Sequence, residues 1–79
     1  MEYLEDYLSE EMIDELTAKI ANVIDDDAYI LSTLSAFDND EQASELLKFL
    51  QEHPNATQSD IDLCTVRIYN LHHQITFHN

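Results

Sequence analysis

Glycine is absent from all 79 residues, and Pro54 is the only proline. Two-residue β-hairpins need left-handed backbone, which glycine adopts without strain, and no Asn-Gly or Asp-Gly pair replaces it here. A fold of tight hairpins is therefore disfavoured. Helices joined by Asp and Asn turns suit the composition better, because those residues tolerate the left-handed region best after glycine. The expected fold class is all-α, a compact bundle of about four short helices joined by Asp/Asn/Pro turns. One small acidic helical domain spans 1–79, with 74–79 frayed.

Apolar spacing supplies the helices. Leu4, Leu8, Ile13, Leu16, Ile20, Val23 and Ile24 recur at helical intervals over about 2–24. Ser9 before Glu10 and Glu11 reads as an N-cap, which allows residues 2–8 to form a separate short helix. The run Asp25-Asp26-Asp27 ends this stretch and caps a second helix, about 27–37, carrying Ile30, Leu31, Leu34 and Phe37. A third, about 40–52, places Ala43, Leu46, Leu47 and Leu50 on one face, and His53-Pro54-Asn55 stops it. Thr57 with Asp60 is a near-match to a capping box. The fourth helix, about 58–72, carries Ile61, Cys64, Ile68 and Leu71, with Ile75 as the next step of the stripe, at 3-4-3-4 spacing. Its β-branched middle, residues 64–69, also has strand character, but one regular stripe along the whole length favours helix.

Charge speaks to partners rather than to fold. Seventeen residues are Asp or Glu and three are Lys or Arg, a formal charge of -14. Direct binding to nucleic acid or to an anionic membrane is disfavoured, and a basic partner is favoured. Apolar residues make up 44 %, enough for a core, yet a domain of this size buries only about 60 % of its unfolded surface and is marginal alone. Pairing with a second copy or with a partner is expected on that ground. Cys64 is the only cysteine, so no internal disulfide forms, which fits a reducing cytoplasm. The acidic start Glu2-Tyr3-Leu4-Glu5-Asp6 is unlike a signal peptide, and a soluble cytoplasmic protein is expected.

The acids are unevenly spread. Residues 1–27 hold ten against Lys19, residues 28–54 hold five against Lys48, and residues 55–79 hold two against Arg67. Read as one helix, residues 2–27 span about 39 Å at 1.5 Å each. That places one net charge per ~4 Å, close to the ~3.4 Å spacing of phosphates along one nucleic-acid strand. Such a row can occupy a Lys- and Arg-lined groove and exclude its nucleic acid. The expected partner is a basic nucleic-acid-binding protein. The candidate contacts are Glu2, Tyr3, Glu5, Asp6, Tyr7, Glu10, Glu11, Asp14, Glu15, Asp25, Asp26 and Asp27. Tyr3 and Tyr7 join the set because tyrosine is favoured at interfaces. In the alternative reading the acids are a solvated face, and the protein is a homodimer, adaptor or immunity protein with an apolar contact. Ordinary solvated faces mix both signs, however, and this chain largely forgoes i,i+4 pairs.

Catalytic chemistry has no visible carrier, and neither enzyme activity nor a cofactor is expected. Asp25–Asp27 and Asp38-Asn39-Asp40-Glu41 read as caps and turns, the latter lacking the glycine and spaced Glu of an EF-hand loop. His53, His72, His73 and His78 have no zinc-site spacing, and His72 and His73 suit a helix C-terminus instead. Cys64 falls on the apolar stripe as a small core residue.

The segment Leu46-Leu47-Lys48-Phe49-Leu50-Gln51-Glu52-His53-Pro54-Asn55-Ala56-Thr57-Gln58-Ser59-Asp60-Ile61 resembles the opening of winged-helix and helix-turn-helix repressor domains. In those, a helix ends in a similar His-Pro-x-Ala-Thr turn. The resemblance covers 16 residues and implies a helix–turn–helix scaffold. The glycine-containing turn and basic recognition helix of that family are missing, and Arg67 alone could meet a phosphate. In size and acidity, without any shared motif, the chain is also similar to small phage-encoded inhibitors of host defence nucleases, anti-CRISPR proteins among them.

Overall fold

The computed structural model describes residues 6–73, which form four α-helices and no strand. They are α1 (Glu10–Ala21), α2 (Asp27–Leu34), α3 (Asp40–Glu52) and α4 (Gln58–His72). The all-α expectation holds, and α3 and α4 match their expected spans. Glu2, Tyr3, Leu4, Glu5, Ile75, His78 and the rest of 74–79 lie outside the described residues.

Each helix starts on a side-chain cap. Ser9 is extended, and its hydroxyl accepts the Met12 N–H. Asp26 accepts from the N–H groups of Ala28 and Tyr29, and Asn39 accepts from that of Gln42. At α4 the capping box is complete. Thr57 Oγ1 accepts the Asp60 N–H at 3.3 Å while Asp60 Oδ2 accepts the Thr57 N–H at 3.0 Å. These bonds satisfy donors that the first helical turn leaves without partners.

The ends follow a different rule. No described residue has positive φ, so the left-handed glycine terminus common elsewhere is not used. Two helices finish instead on a histidine. His53 stacks on Phe49 at 4.4 Å and its Nδ1 donates to the Phe49 carbonyl at 3.0 Å. His73 repeats the device at α4, stacking on Tyr69 at 4.1 Å and donating to the Tyr69 carbonyl at 2.9 Å.

Two spans are shorter than the sequence predicts. The long first helix is only 12 residues, because Asn22 caps it and Val23 and Ile24 both turn their N–H groups back to the Ile20 carbonyl. Helix α2 stops at Leu34, where the Ser35 hydroxyl takes the Leu31 carbonyl at 2.8 Å. Tight turns from Ala36 to Thr33 and from Phe37 to Leu34 then swing Phe37 inward, where it is 2 % exposed.

Leu8, Leu16, Ile20, Ile30, Leu34, Phe37, Ala43, Leu46, Leu50, Ile61 and Ile68 form one continuous core. Helix α3 is its centre: α1 packs on α3 and α2, and α4 packs mainly on α3. Full burial of such a Leu, Ile or Phe side chain is worth about 1.5–3 kcal/mol relative to exposure. The buried amide of Gln42 is satisfied by the Asp38 N–H at 3.0 Å. Polar ties then fix the packing. The Ser9 N–H donates to Asp40 across 2.8 Å, Tyr29 to Asp62 across 2.6 Å, and His72 and His73 meet Glu45 and Asp38 at 2.6 and 2.8 Å.

Helix α4 departs from its expected stripe. Ile61 and Ile68 are buried and Cys64 is half-buried, but Leu71 is 60 % exposed. Leu63 and Val66, which the stripe omits, stand outward at 66 % and 54 % exposed. One main neighbour leaves most of the helix circumference to solvent.

Candidate acidic interface

Leu16 and Ile20 are fully buried against α3 and the core, and they fix the rotation of α1. At 100° per residue, Glu10, Glu11, Asp14 and Glu15 then share one outward sector, and all four are exposed. The Ser9 cap places Glu10 and Glu11 in the first turn, where the helix dipole favours negative charge. After the turn at Asn22 and Val23, Asp25, Asp26 and Asp27 are exposed in turn, and Asp26 also caps α2. Asp6 and Tyr7 precede α1, both exposed.

The described candidates therefore fall into the α1 sector, with Asp6 and Tyr7 ahead of it, and the Asp25–Asp27 run that leads into α2. They do not form one rod. Helix α1 is about 18 Å long by the rise of 1.5 Å per residue, so the 39 Å row read from the sequence is replaced by two shorter clusters on either side of a bend. Glu2, Tyr3 and Glu5, the remaining candidates, lie outside the described residues.

Among the described residues no Lys, Arg or His pairs with Glu10, Glu11, Asp14, Glu15 or the Asp25–Asp27 run. The ion pairs of the described residues are His72 with Glu45 and His73 with Asp38, and neither uses a carboxylate of α1 or of the Asp25–Asp27 run. A cleft of about 580 Å³ opens between the end of α1 and the α3–α4 connection, lined by Lys19, Asn22, Gln51, His53, Asn55 and Gln58 among others. Its lining contains no carboxylate.

The other candidate groups are engaged structurally. Tyr29 is half-buried; desolvation, followed by the neighbouring Asp62 carboxylate, pushes its pKa up to about 12. Burial likewise pushes the Cys64 thiol up, which quiets it as a nucleophile. Tyr69 is 46 % exposed beneath the His73 ring. Both nitrogens of that ring face oxygen acceptors, and a ring carrying both protons donates to each. Among the described residues no three His, Cys, Asp or Glu side chains converge as metal ligands, and no helix is long and apolar enough to cross a membrane.

One surface escaped the reading of sequence: the outward row of Leu63, Val66, Arg67, Asn70 and Leu71 along α4, which borders a shallow open groove. Its signal is present as a second apolar spacing, Leu63 to Val66, hidden beneath the stronger 61–64–68 stripe. Helices α3 and α4 are consecutive and joined by residues 53–57, and Arg67 is the only Lys or Arg on α4.

No family model matches this chain, and no curated protein or solved structure shows significant similarity to it.

Proposed function

We propose that this protein is a binding inhibitor that fills a basic groove of a nucleic-acid-binding protein, in the manner of a phage anti-defence factor. The observation that carries the reading is the outward sector of Glu10, Glu11, Asp14 and Glu15, extended by Asp25–Asp27, without cationic partners among the described residues. Carboxylates held this way carry their full charge to a partner. Encounter with a Lys- and Arg-lined groove is then fast and falls steeply with salt. The bend between the two clusters suits a curved groove better than a straight rod would.

The test uses the immobilised full chain against host lysate, with elution by a salt gradient and separately by duplex DNA. A nucleic-acid-binding protein released by both supports competition for one groove. The triple variant Glu11→Lys, Asp14→Lys, Glu15→Lys should lose that protein while its circular dichroism stays helical. Undiminished capture by the triple variant would refute the reading.

A second reading, an interaction module with an apolar contact, is favoured by Leu63, Val66 and Leu71, each more than half exposed. A partner that resists both eluants would select it.

A further inference from the structure

From Leu63 to His72, α4 contains no acidic residue, although the chain carries a charge of -14. Its solvent face has an ordered pattern. Ser59, Asp62, Leu63, Val66, Arg67 and Asn70 are all exposed, and their 3-4 spacing places them on one side of the helix. In heptad terms, Leu63 and Asn70 take a positions and Ser59 and Val66 take d positions. Asp62 then falls at g and Arg67 at e.

We propose that this face pairs in parallel with α4 of a second copy of the chain. The two-fold axis runs along the helices, Leu63 and Val66 meet their equivalents, and Asp62 of each copy pairs with Arg67 of the other. The charges choose the direction. In a parallel pair, a g residue reaches the e residue five positions later on its neighbour, and Asp62 to Arg67 is that step. In an antiparallel pair, g faces g and e faces e, which would set Asp62 against Asp62 and Arg67 against Arg67. Asn70 at an a position is a register-setting choice, since a polar a residue specifies pairing at a cost in stability.

Both ends of the charge pair are prepared for it. The Tyr29 hydroxyl donates to Asp62 Oδ1 at 2.6 Å, holding the carboxylate on the outer flank and leaving its second oxygen able to accept. Arg67 makes no ion pair among the described residues. The bodies also fit, because the buried residues Ile61 and Ile68 put α3 on the far side of the helix from the seam. The acidic sector of α1 takes no part in the contact, so this inference stands independently of the groove-blocking role.

The seam is short. It offers well under the ~800 Å² per partner of a standard interface, so the dimer dissociates readily and fills only at high concentration. Sedimentation equilibrium of the full chain from about 10 µM to about 1 mM, in ~0.15 M salt where the Debye length is ~8 Å, reads it directly. The average mass should climb from 9.2 kDa toward twice that value. Asp62→Arg alone and Arg67→Asp alone each place like charges across the seam, and each should weaken association at least about tenfold. An equimolar mixture of the two restores both opposite-charge pairs and should dimerise again. Circular dichroism of each variant alone verifies folding, and recovery in the mixture excludes misfolding as the cause of the loss. A wild-type chain still monomeric at the highest concentration overturns the proposal. So do single variants that associate as wild type does, or a mixture that stays monomeric.

Discussion

Replacing Asp40 by alanine removes a carboxylate that serves two helices at once. Asp40 is the first residue of α3, just inside the Asn39 cap, and its Oδ1 also accepts the Ser9 N–H at 2.8 Å. Ser9 is the N-cap of α1, so the positive ends of two helix dipoles approach the same side chain. A hydrogen bond to a charged group contributes about 1.5–3 kcal/mol, and the half-exposure of Asp40 moves it to the low end. Charge at a helix N-terminus adds about 0.3–1 kcal/mol. The expected cost of Asp40→Ala is therefore about 2 kcal/mol, a Tm loss on the order of 10 °C for a domain this small. Asp40→Asn keeps an acceptor oxygen for Ser9 and gives up only the charge, so it should cost about half as much. Urea unfolding followed by far-UV circular dichroism measures both, with an unchanged m-value verifying that only stability has moved. If Asp40→Ala falls within about 0.3 kcal/mol of wild type, or if Asn is as damaging as Ala, the two-helix account is wrong.

Three further outcomes follow from the same packing. Thr57→Ala removes the hydroxyl half of the α4 capping box, leaving Asp60 to accept the backbone N–H of residue 57, and should cost about 1 kcal/mol in urea unfolding, with Thr57→Ser close to wild type. Leu46 is fully buried at the centre of α3, and Leu46→Ala should cost about 2–5 kcal/mol, enough to leave a large unfolded fraction by circular dichroism at 37 °C. Tyr29 has a raised folded-state pKa, so the folded state holds its phenolic proton more tightly than the unfolded one. Its contribution is complete below about pH 10 and is lost as pH rises toward about 12. Tyr29→Phe should flatten the alkaline fall in stability and remove the phenolate absorbance step near pH 12.

The helix starts were the most legible part of the sequence because each rests on local chemistry. Ser9 before two glutamates, Asn39 before Asp40, and Thr57 with Asp60 all cap as their spacing implies. The ends were harder to read. Val23 and Ile24 keep helical apolar spacing, yet their N–H groups fold back on Ile20. Phe37 keeps the spacing of α2, yet it reaches the core through a turn rather than a helix. The same ambiguity reached the interface: the outward direction of Glu10, Glu11, Asp14 and Glu15 was legible from the apolar positions between them, but the bend that divides the acidic row was not. Least legible were the contacts that lock the helices together. Ser9 with Asp40, Tyr29 with Asp62, His72 with Glu45 and His73 with Asp38 join residues 27 to 35 apart in sequence, and no periodicity announces them. The outer row of α4 stayed hidden because one helix carries two apolar faces and only one of them meets α3.

That single-sided attachment gives the molecule a hierarchy of opening. Helix α3 touches α1 and α4 and supplies much of the core, so the amides at its centre should be the best protected from exchange. Helix α4 is held by Ile61 and Ile68, with Cys64 beside them, and latched by Tyr29, Glu45 and Asp38. With only one main neighbour, its amide protection should sit below that of α3. Anything that seats on the outer row of α4 then acts as a clamp on that helix.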